Sequence, residues 1–471
     1  MAKEKKDKSA HPFRENIEVV VFAIVMAMGL KVFAIEAYEI PTGSMQPTLM
    51  GTNLIDPATK VTDGGLHDRV LVDKISYWFR DPERWEVVVF RYPLLAHNNY
   101  VKRLIGMPDE ELWIEAGDIF TRKLGSNGDF EIARKPWKVQ KHMWKKVVPG
   151  VGNDPTKWAN WNRTGAFEHE ADGTLTFNGQ ATIQYGSSIR DRYLDGYPDE
   201  IYFSMPNPTS RSSQRVSDLR IVFDLEARQA SGPLRAEFMM GPYPVNLEVA
   251  ADGNYKLEMP DGELFEGTLS NPAAVANFDV AFWDHTMRLE VDGKEVVYRE
   301  MKLDTGRNTR NSISFVSGAK GWRLSPVKVW RDVHYLPPRN STATPLFQIP
   351  EGNYFMMGDN TQNSLDSRDW VAEEITFDPP LRGITTLRGD RMDHGVDPKF
   401  DNPRHNPGRD IMTFRDEFGG LHTFTDEEMK GASRILQPAP LVPRNLLLGR
   451  ALAVFLPVPP FAPVARIGWV H

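Results

Sequence analysis

Strand-sized apolar runs closed by turn signals fill most of this chain and direct it to a mainly β fold. Between residues 153 and 338 no long helical period occurs. The runs there are Thr174–Phe177, Ala181–Tyr185, Leu219–Leu225, Val245–Val249, Tyr255–Met259, Met287–Val291, Glu295–Tyr298, Ser312–Val316 and Val327–Val333. Asp292-Gly293 between two alternating runs is a two-residue hairpin signal, and Asp252-Gly253 and Asp261-Gly262 mark further turns. Many short strands at this spacing predict a β-sandwich ending at Pro337-Pro338. Upstream, Val70–Val72, Val87–Phe90 and Tyr100–Ile105 read as strands, Glu111–Ile119 as one more, and Lys135–Val148 as helix. Asp390–Arg409 reads as exposed loop and Leu446–Phe455 as a returning strand.

A chain of 471 residues is too long for one compact core. Its net charge of −7 argues against nucleic acid as a partner. With no cysteine, disulfides, thiolate metal sites and a cysteine nucleophile are excluded. No metal-ligand spacing stands out, and neither metal nor cofactor is expected.

The N-terminus has its own character. Lys3, Lys5, Lys6, Lys8 and Arg14 precede an apolar run, Val19 to Leu30, which resumes at Val32 to Ile35. That is about 17 residues, the lower edge of what crosses a bilayer. A cleaved signal peptide would end in small residues, and Glu36-Ala37-Tyr38-Glu39 does not fit that pattern. The reading is an uncleaved anchor over 17–36, with Lys31 reaching the interface. The basic flank predicts the N-terminus inside and the remainder outside.

Three segments carry chemistry. In Ile40-Pro41-Thr42-Gly43-Ser44-Met45-Gln46-Pro47-Thr48-Leu49, two prolines and a glycine stiffen the chain and exclude a helix. A serine on such a turn can present its hydroxyl and its own N–H to one oxygen, although the segment alone also reads as a plain membrane-proximal turn. In Tyr100-Val101-Lys102-Arg103-Leu104-Ile105-Gly106 a lysine lies inside a strand, sharing a face with Tyr100 and Leu104. If that face is buried, desolvation lowers the lysine pKa and leaves an amine able to take a serine proton; an edge-strand lysine facing water is the bland alternative. The third segment, Gly358-Asp359-Asn360-Thr361-Gln362-Asn363-Ser364-Leu365-Asp366-Ser367-Arg368-Asp369-Trp370, gathers hydroxyl, carboxylate and guanidinium groups that can bond internally and stiffen a neighbouring site.

Together these resemble the boxes of bacterial signal peptidase I: Pro-Ser-Gly-Ser-Met-x-Pro-Thr-Leu, Tyr-Val-Lys-Arg-x-Ile-Gly-x-Pro-Gly-Asp and Gly-Asp-Asn-x-x-Asn-Ser-x-Asp-Ser-Arg-x-Trp. Arg84-Trp85-Glu86-Val87-Val88-Val89-Phe90 resembles the remaining box, Arg-Gly-Asp-x-Val-x-Phe, and Val442–Arg450 the family's closing strand. The four boxes stand in family order. The resemblance implies a serine endopeptidase with Ser44 as nucleophile and Lys102 as general base. It implies an oxyanion hole from the Ser44 N–H and the Thr42 hydroxyl, and Ser364 orienting the lysine amine. Asp359 with Arg103 and Asp366 with Arg368 would brace the site, and Ile40, Met45 and Val101 would line pockets for small residues. It further implies exported preproteins as substrates, membrane lipid as a partner, and a single-pass location in the cytoplasmic membrane with the catalytic domain on the outer face.

Departures lie around the dyad. Trp85-Glu86 stands where the family has Gly-Asp, Asp109-Glu110 follows Pro108 without the second glycine, Thr361-Gln362 replaces the common Arg-Asp, and Val371 replaces a glycine. A penicillin-recognising Ser-x-x-Lys enzyme would need lysine at position 47, which is proline. The boxes offer no histidine for a Ser-His-Asp triad.

The expected layout is a basic tail (1–16), an anchor (17–36), and a signal peptidase I-like antiparallel β core in three parts (37–152, 339–371 and 441–471). Two insertions interrupt it, 153–338 and 372–440. The first vaguely resembles concanavalin-like or laminin-G-like sandwiches, folds that often bind carbohydrate, and a protein ligand is the other reading. The rival to an enzyme is a membrane-tethered binding protein in which that sandwich works and the peptidase core is inactive.

Overall fold

Alternation of buried and less buried side chains sets the pattern of the strands. Leu219–Ala227 buries every second residue, from Leu219 through Ile221 and Phe223 to Leu225, as a strand with one face on a core must. The computed structural model describes residues 12–29, 34–56, 58–59, 61–147, 158, 160–198, 201, 204, 214–304, 309–339, 345–392, 401–406, 408–457 and 465–471. The fold is mainly β.

Segments far apart in sequence share the first sheet. Its order is Ile35–Glu39, Arg69–Asp73, Leu447–Leu456, Val87–Tyr92, Leu95–Gly106, Asn353–Met357 and Leu441–Pro443, with Gly468–Trp469 also paired to Leu447–Leu456. The pairings are antiparallel, including Val88 opposite Lys102 and Met357 opposite Arg103. One face packs Val88, Phe90, Leu104, Tyr354, Met356 and Trp370 together. The other packs Ile40, Met45, Leu49, Val70, Val72, Val87 and Val89. Both faces are covered where the strands cross, which is how a lysine and an arginine on neighbouring positions can both be buried.

Beside it lies a sheet ordered Phe347–Ile349, Glu110–Glu115, Asp118–Lys123 and Glu131–Ile132. The expected single strand over Glu111–Ile119 is in fact a hairpin. Ala116 and Gly117 both adopt positive φ, +53° and +101°, the two-residue turn that matches strand twist. Alanine there gave no turn signal. The expected helix over Lys135–Val148 shrinks to Trp137–Met143, and Lys145–Lys146 pairs instead with Lys328–Arg331.

The region after residue 158, together with the Lys145–Lys146 strand, forms a 14-stranded sheet wound around one apolar core. At its centre Phe223 stacks on Phe278 with centroids 5.5 Å apart and meets Phe315 edge-on at 4.9 Å. The stretch after Trp370 is β as well. Val371–Leu381, Ile384–Asp390 and Ala432–Pro438 form one sheet, and Arg404–Asn406, Ile411–Arg415 and Leu421–Thr425 another. They share Ile375, Phe377, Met412, Phe414 and Phe424 as a core. Of the loop expected over Asp390–Arg409, Arg404–Asn406 is thus a strand, while residues 393–400 and 407 lie outside the described residues.

At the N-terminus a helix runs Pro12–Gly29. Among the described residues no helix is long and apolar enough to cross a membrane. Residues 30–33 of the expected anchor lie outside them, and Ile35–Glu39 is the edge strand of the first sheet.

The Phe223 cluster generates a stability prediction. Phe223→Ala should cost about 3–5 kcal/mol, read as a lower urea midpoint, because the surrounding rings cannot collapse into the space.

Candidate active site

The Ile40–Leu49 segment is held from both sides. Ile40, Met45 and Leu49 are buried against Val70, Val72, Val87 and Val89. Thr42 is extended, and Gly43–Met45 makes a single 3-10 turn with Gln46 extended behind it. A Cβ on Gly51 would come within 2.6 Å of the Ile40 carbonyl, so only glycine lets the next strand approach this closely. The outcome is a rigid turn whose apolar side chains point inward, while Ser44 is half-buried and Thr42 exposed. The turn lies against the Leu95–Gly106 strand, and Val101 of that strand packs on the same apolar cluster.

Lys102 sits on that strand opposite Val88 and is 3% exposed. Burial drags its pKa down to about 8; Asp366 and Asp359 push the other way, while Arg368 and Arg339 add to the depression. Among the described residues no hydrogen bond holds its amine, and none joins it to the Ser44 hydroxyl.

The Gly358–Trp370 loop ties the two elements together. Asp359 receives Arg103 through Nε at 2.8 Å and Nη2 at 2.7 Å, and the Thr48 hydroxyl at 2.6 Å. The Arg103 and Asp359 side chains are both fully buried. The guanidinium holds the Asp359 carboxyl below its usual range despite burial. Asn360 donates its N–H to the Ser44 carbonyl at 3.1 Å and its side-chain amide to the Gly43 carbonyl at 2.9 Å. Asp366 takes two bonds of 2.7 Å from Arg368 and one of 3.0 Å from the Gly358 N–H. Arg368 also donates to the Leu336 carbonyl at 2.8 Å. Ser364 is buried, with a hydroxyl that has no hydrogen-bond partner among the described residues. Gly358 lies between it and the nucleophile turn, since a Cβ there would collide with both the Ser364 hydroxyl and the Ser44 carbonyl. Ser44, Thr42, Ile40, Met45, Lys102, Val101, Arg103, Asp359, Ser364, Asp366 and Arg368 are therefore assembled around one turn, one strand and one loop.

Several residues at this site were not legible in the sequence. Tyr197 donates its hydroxyl to the Gln46 side-chain oxygen at 2.8 Å, with Tyr193 adding a bond of 3.3 Å. The amide of Gln362 bonds the Asp191 carbonyl and carboxylate. Lys145 donates to the Asp359 carbonyl at 2.8 Å and, like Lys102, has its pKa lowered by burial to about 8. Arg466 pairs with the buried Asp68 at 2.9 Å and donates to the carbonyls of Pro47 and Thr48. These contacts span more than a hundred residues, and no local spacing announces them.

The family model described as signal peptidase, peptidase S26, matches residues 13–130 and 284–378. Signal peptidase I of Rickettsia typhi is 30% identical over 225 residues, covering 46% of this chain and 77% of that protein. Signal peptidase I of Rickettsia prowazekii is 33% identical over 211 residues, covering 43% of this chain and 72% of that protein. A probable signal peptidase I-2 of Synechocystis sp. is 34% identical over 125 residues, or 25% of this chain. The chain spans about half the length of that protein, 50%, and a similar share of signal peptidase I from Pseudomonas fluorescens, 48%. Among solved structures, the carbohydrate-binding module CBM66 from Bacillus subtilis aligns over 92% of its length and 37% of this chain. Its identity is 11% and its TM-score 0.22, a likeness that carries no argument.

The packing around Gly358 can be tested directly. Gly358→Ala should destabilise the protein by about 1–3 kcal/mol, because both obstructing groups are fixed. Gly179→Ala, where a Cβ would meet nothing within 4 Å, should leave the melting temperature close to wild type.

Proposed function

Because this chain belongs to the signal peptidase I family, we propose that it is a serine endopeptidase that removes signal peptides from exported preproteins. The observation that carries the reading is the buried Lys102 amine, depressed to about 8, on the strand against which the Ser44 turn lies.

In this mechanism the neutral Lys102 amine accepts the Ser44 hydroxyl proton as Oγ attacks the scissile carbonyl. The Ser44 N–H and the Thr42 hydroxyl donate to the developing oxyanion. The lysine ammonium then gives its proton to the departing amine, leaving an acyl-enzyme. Water, deprotonated by the same amine, releases the acyl group and regenerates Ser44. The unpartnered Ser364 hydroxyl suits the role of holding the amine in one orientation. The Arg103–Asp359 and Arg368–Asp366 pairs support the loop around it. Ile40, Met45 and Val101, on one apolar cluster, would line the pockets for small substrate residues.

The helix Pro12–Gly29 exposes Val19, Val20, Val21, Phe22, Ile24, Val25, Met26 and Met28. Apolar side chains without protein cover suit lipid. We read this helix as part of a single anchor in the cytoplasmic membrane with the N-terminus inside. The region from 153 to 338 is read as an inserted β-sandwich whose ligand, carbohydrate or protein, would be separate from the peptidase reaction.

Cleavage of a preprotein by the detergent-solubilised full chain tests the dyad. Ser44→Ala and Lys102→Ala should each lower kcat by at least about a thousandfold, and full activity in either variant would defeat the mechanism. Thr42→Val should lower kcat by about a hundredfold to a thousandfold, with Thr42→Ser restoring it. A base must be unprotonated to act, so kcat/KM should rise with pH through an apparent pKa of about 8 and level off above it.

A further inference from the structure

The large insertion meets the nucleophile turn through the loop 191–197. Arg331, on the Lys328–Arg331 strand, ties that loop to the body of the insertion. Its guanidinium pairs with Asp191 at 2.8 Å and with Asp195 at 2.8 Å, and it donates to the Arg192 carbonyl at 2.8 Å. Arg331, Asp191 and Asp195 are all buried. Charge-assisted bonds to three points of one short loop fix its shape.

The end of the same loop rests on the turn. Gly196 adopts φ +83° and donates its N–H to the Lys146 carbonyl at 3.0 Å. A Cβ on it would come within 3.1 Å of both Pro47 and Lys145, so glycine alone allows this conformation and this approach together. Tyr197 follows, buried on Met50, Leu54 and Leu66. Its hydroxyl donates to the Gln46 side-chain oxygen at 2.8 Å, and the Tyr193 hydroxyl does so at 3.3 Å. Gln46 is 1% exposed, and its amide nitrogen has no hydrogen-bond partner among the described residues. The two tyrosines therefore supply the polar hold on this side chain.

That hold bears on Ser44. The Gln46 side chain folds back over Gly43, where a Cβ would fall 2.7 Å from the Gln46 oxygen. Gln46 also donates its N–H to the Gly43 carbonyl at 3.2 Å, closing the turn around Ser44. The Gly43–Ser44 peptide is planar, so whatever fixes the Gly43 carbonyl also fixes the direction of the Ser44 N–H. Asn360 holds that carbonyl through its side-chain amide, and Gln46 holds it through its own N–H and by packing on Gly43.

We propose that Tyr197 is a positioning residue for the peptidase reaction, which fixes Gln46 and through it the N–H and hydroxyl of Ser44. The loop 191–197 of the insertion is then part of what makes the site work. The inference rests on the reading of Ser44 as nucleophile.

Two measurements on the full chain test it. The first is hydrogen exchange, followed by mass spectrometry, at the Gln46 and Leu49 amides, which donate to the Gly43 and Met45 carbonyls inside the turn. It needs no activity. Tyr197→Phe removes the hydroxyl and keeps the ring, and should speed this exchange by roughly threefold to tenfold. The second is preprotein cleavage. Tyr197→Phe should lower kcat by about tenfold with KM little changed. Gln46→Met should do the same, and the double variant should be no slower than Gln46→Met alone, since both changes remove one contact. Exchange at the wild-type rate in Tyr197→Phe would overturn the proposal. So would a fall in melting temperature with kcat unchanged, the mark of a loop that only tethers the insertion, or kcat losses that multiply in the double variant. Ser44→Ala cleaving as fast as wild type would defeat the peptidase reading and with it the catalytic role of Tyr197, while faster exchange in Tyr197→Phe would still show its hold on the turn.

Discussion

The Arg103–Asp359 pair is the contact on which the rest of the site depends. Two charges with no solvent exposure persist only because their geometry is bidentate and their remaining valences are filled. Arg103 also donates to the carbonyls of Trp85 and His471, and Asp359 also accepts from Thr48. One guanidinium thereby joins the central strand, the loop of the last box and the segment carrying the nucleophile. Removing one partner of such a pair typically costs about 3–5 kcal/mol, because the other charge is left stranded. Arg368 and Asp366 repeat the device a few residues on, and the Asp366 carboxylate faces Lys102 as well. Lys102 therefore sits among charges that are already committed elsewhere. Its own desolvation outweighs their pull, and its pKa falls rather than rises.

The large insertion is continuous with this arrangement. Tyr197 and Tyr193 hold Gln46, two residues after Ser44. Lys145, of the core strand that pairs with Lys328–Arg331 of the insertion, holds the Asp359 backbone, and Asp191 of the insertion receives Gln362. Asp191 is itself paired with Arg331, whose other partner is Asp195. Position 362, where this chain has glutamine instead of the family's aspartate, is thus a contact with the insertion. A carboxylate there would face the Asp191 carboxylate, and an amide donates to it.

Much of the core was legible because its residues are unusual in their settings. Lys102 inside an apolar strand, Ser44 between two prolines and the polar run from Asp359 to Arg368 each break the local pattern, and all converge in space. The mainly β character followed from turn-bounded runs, and the period-two burial of Leu219–Ala227 shows why that signal works. What escaped was tertiary. Ala116-Gly117 turns a hairpin without a recognisable turn pair, and Lys145–Lys146 is a strand only because Lys328–Arg331 lies beside it. The sheets after Trp370 are built on widely spaced apolar residues, Phe377, Phe414 and Phe424, in an insertion where the sequence suggested no strands. Asp118, Asp218 and Asp284 bring their carboxylates together, yet Asp118 lies a hundred residues and more before the other two, and no spacing rule joins it to them.

The central claim is that burial lowers the Lys102 pKa far enough to leave a usable neutral fraction near physiological pH. The most direct test is the titration of its side-chain amine by nuclear magnetic resonance. The protein should carry Lys145→Met, so that the second depressed lysine is absent, and Lys102→Arg in the same background assigns the signal. A midpoint near 8 is predicted. A midpoint near the ordinary lysine value of 10.5 would contradict the account, since the amine would then be charged and unable to take a proton from Ser44.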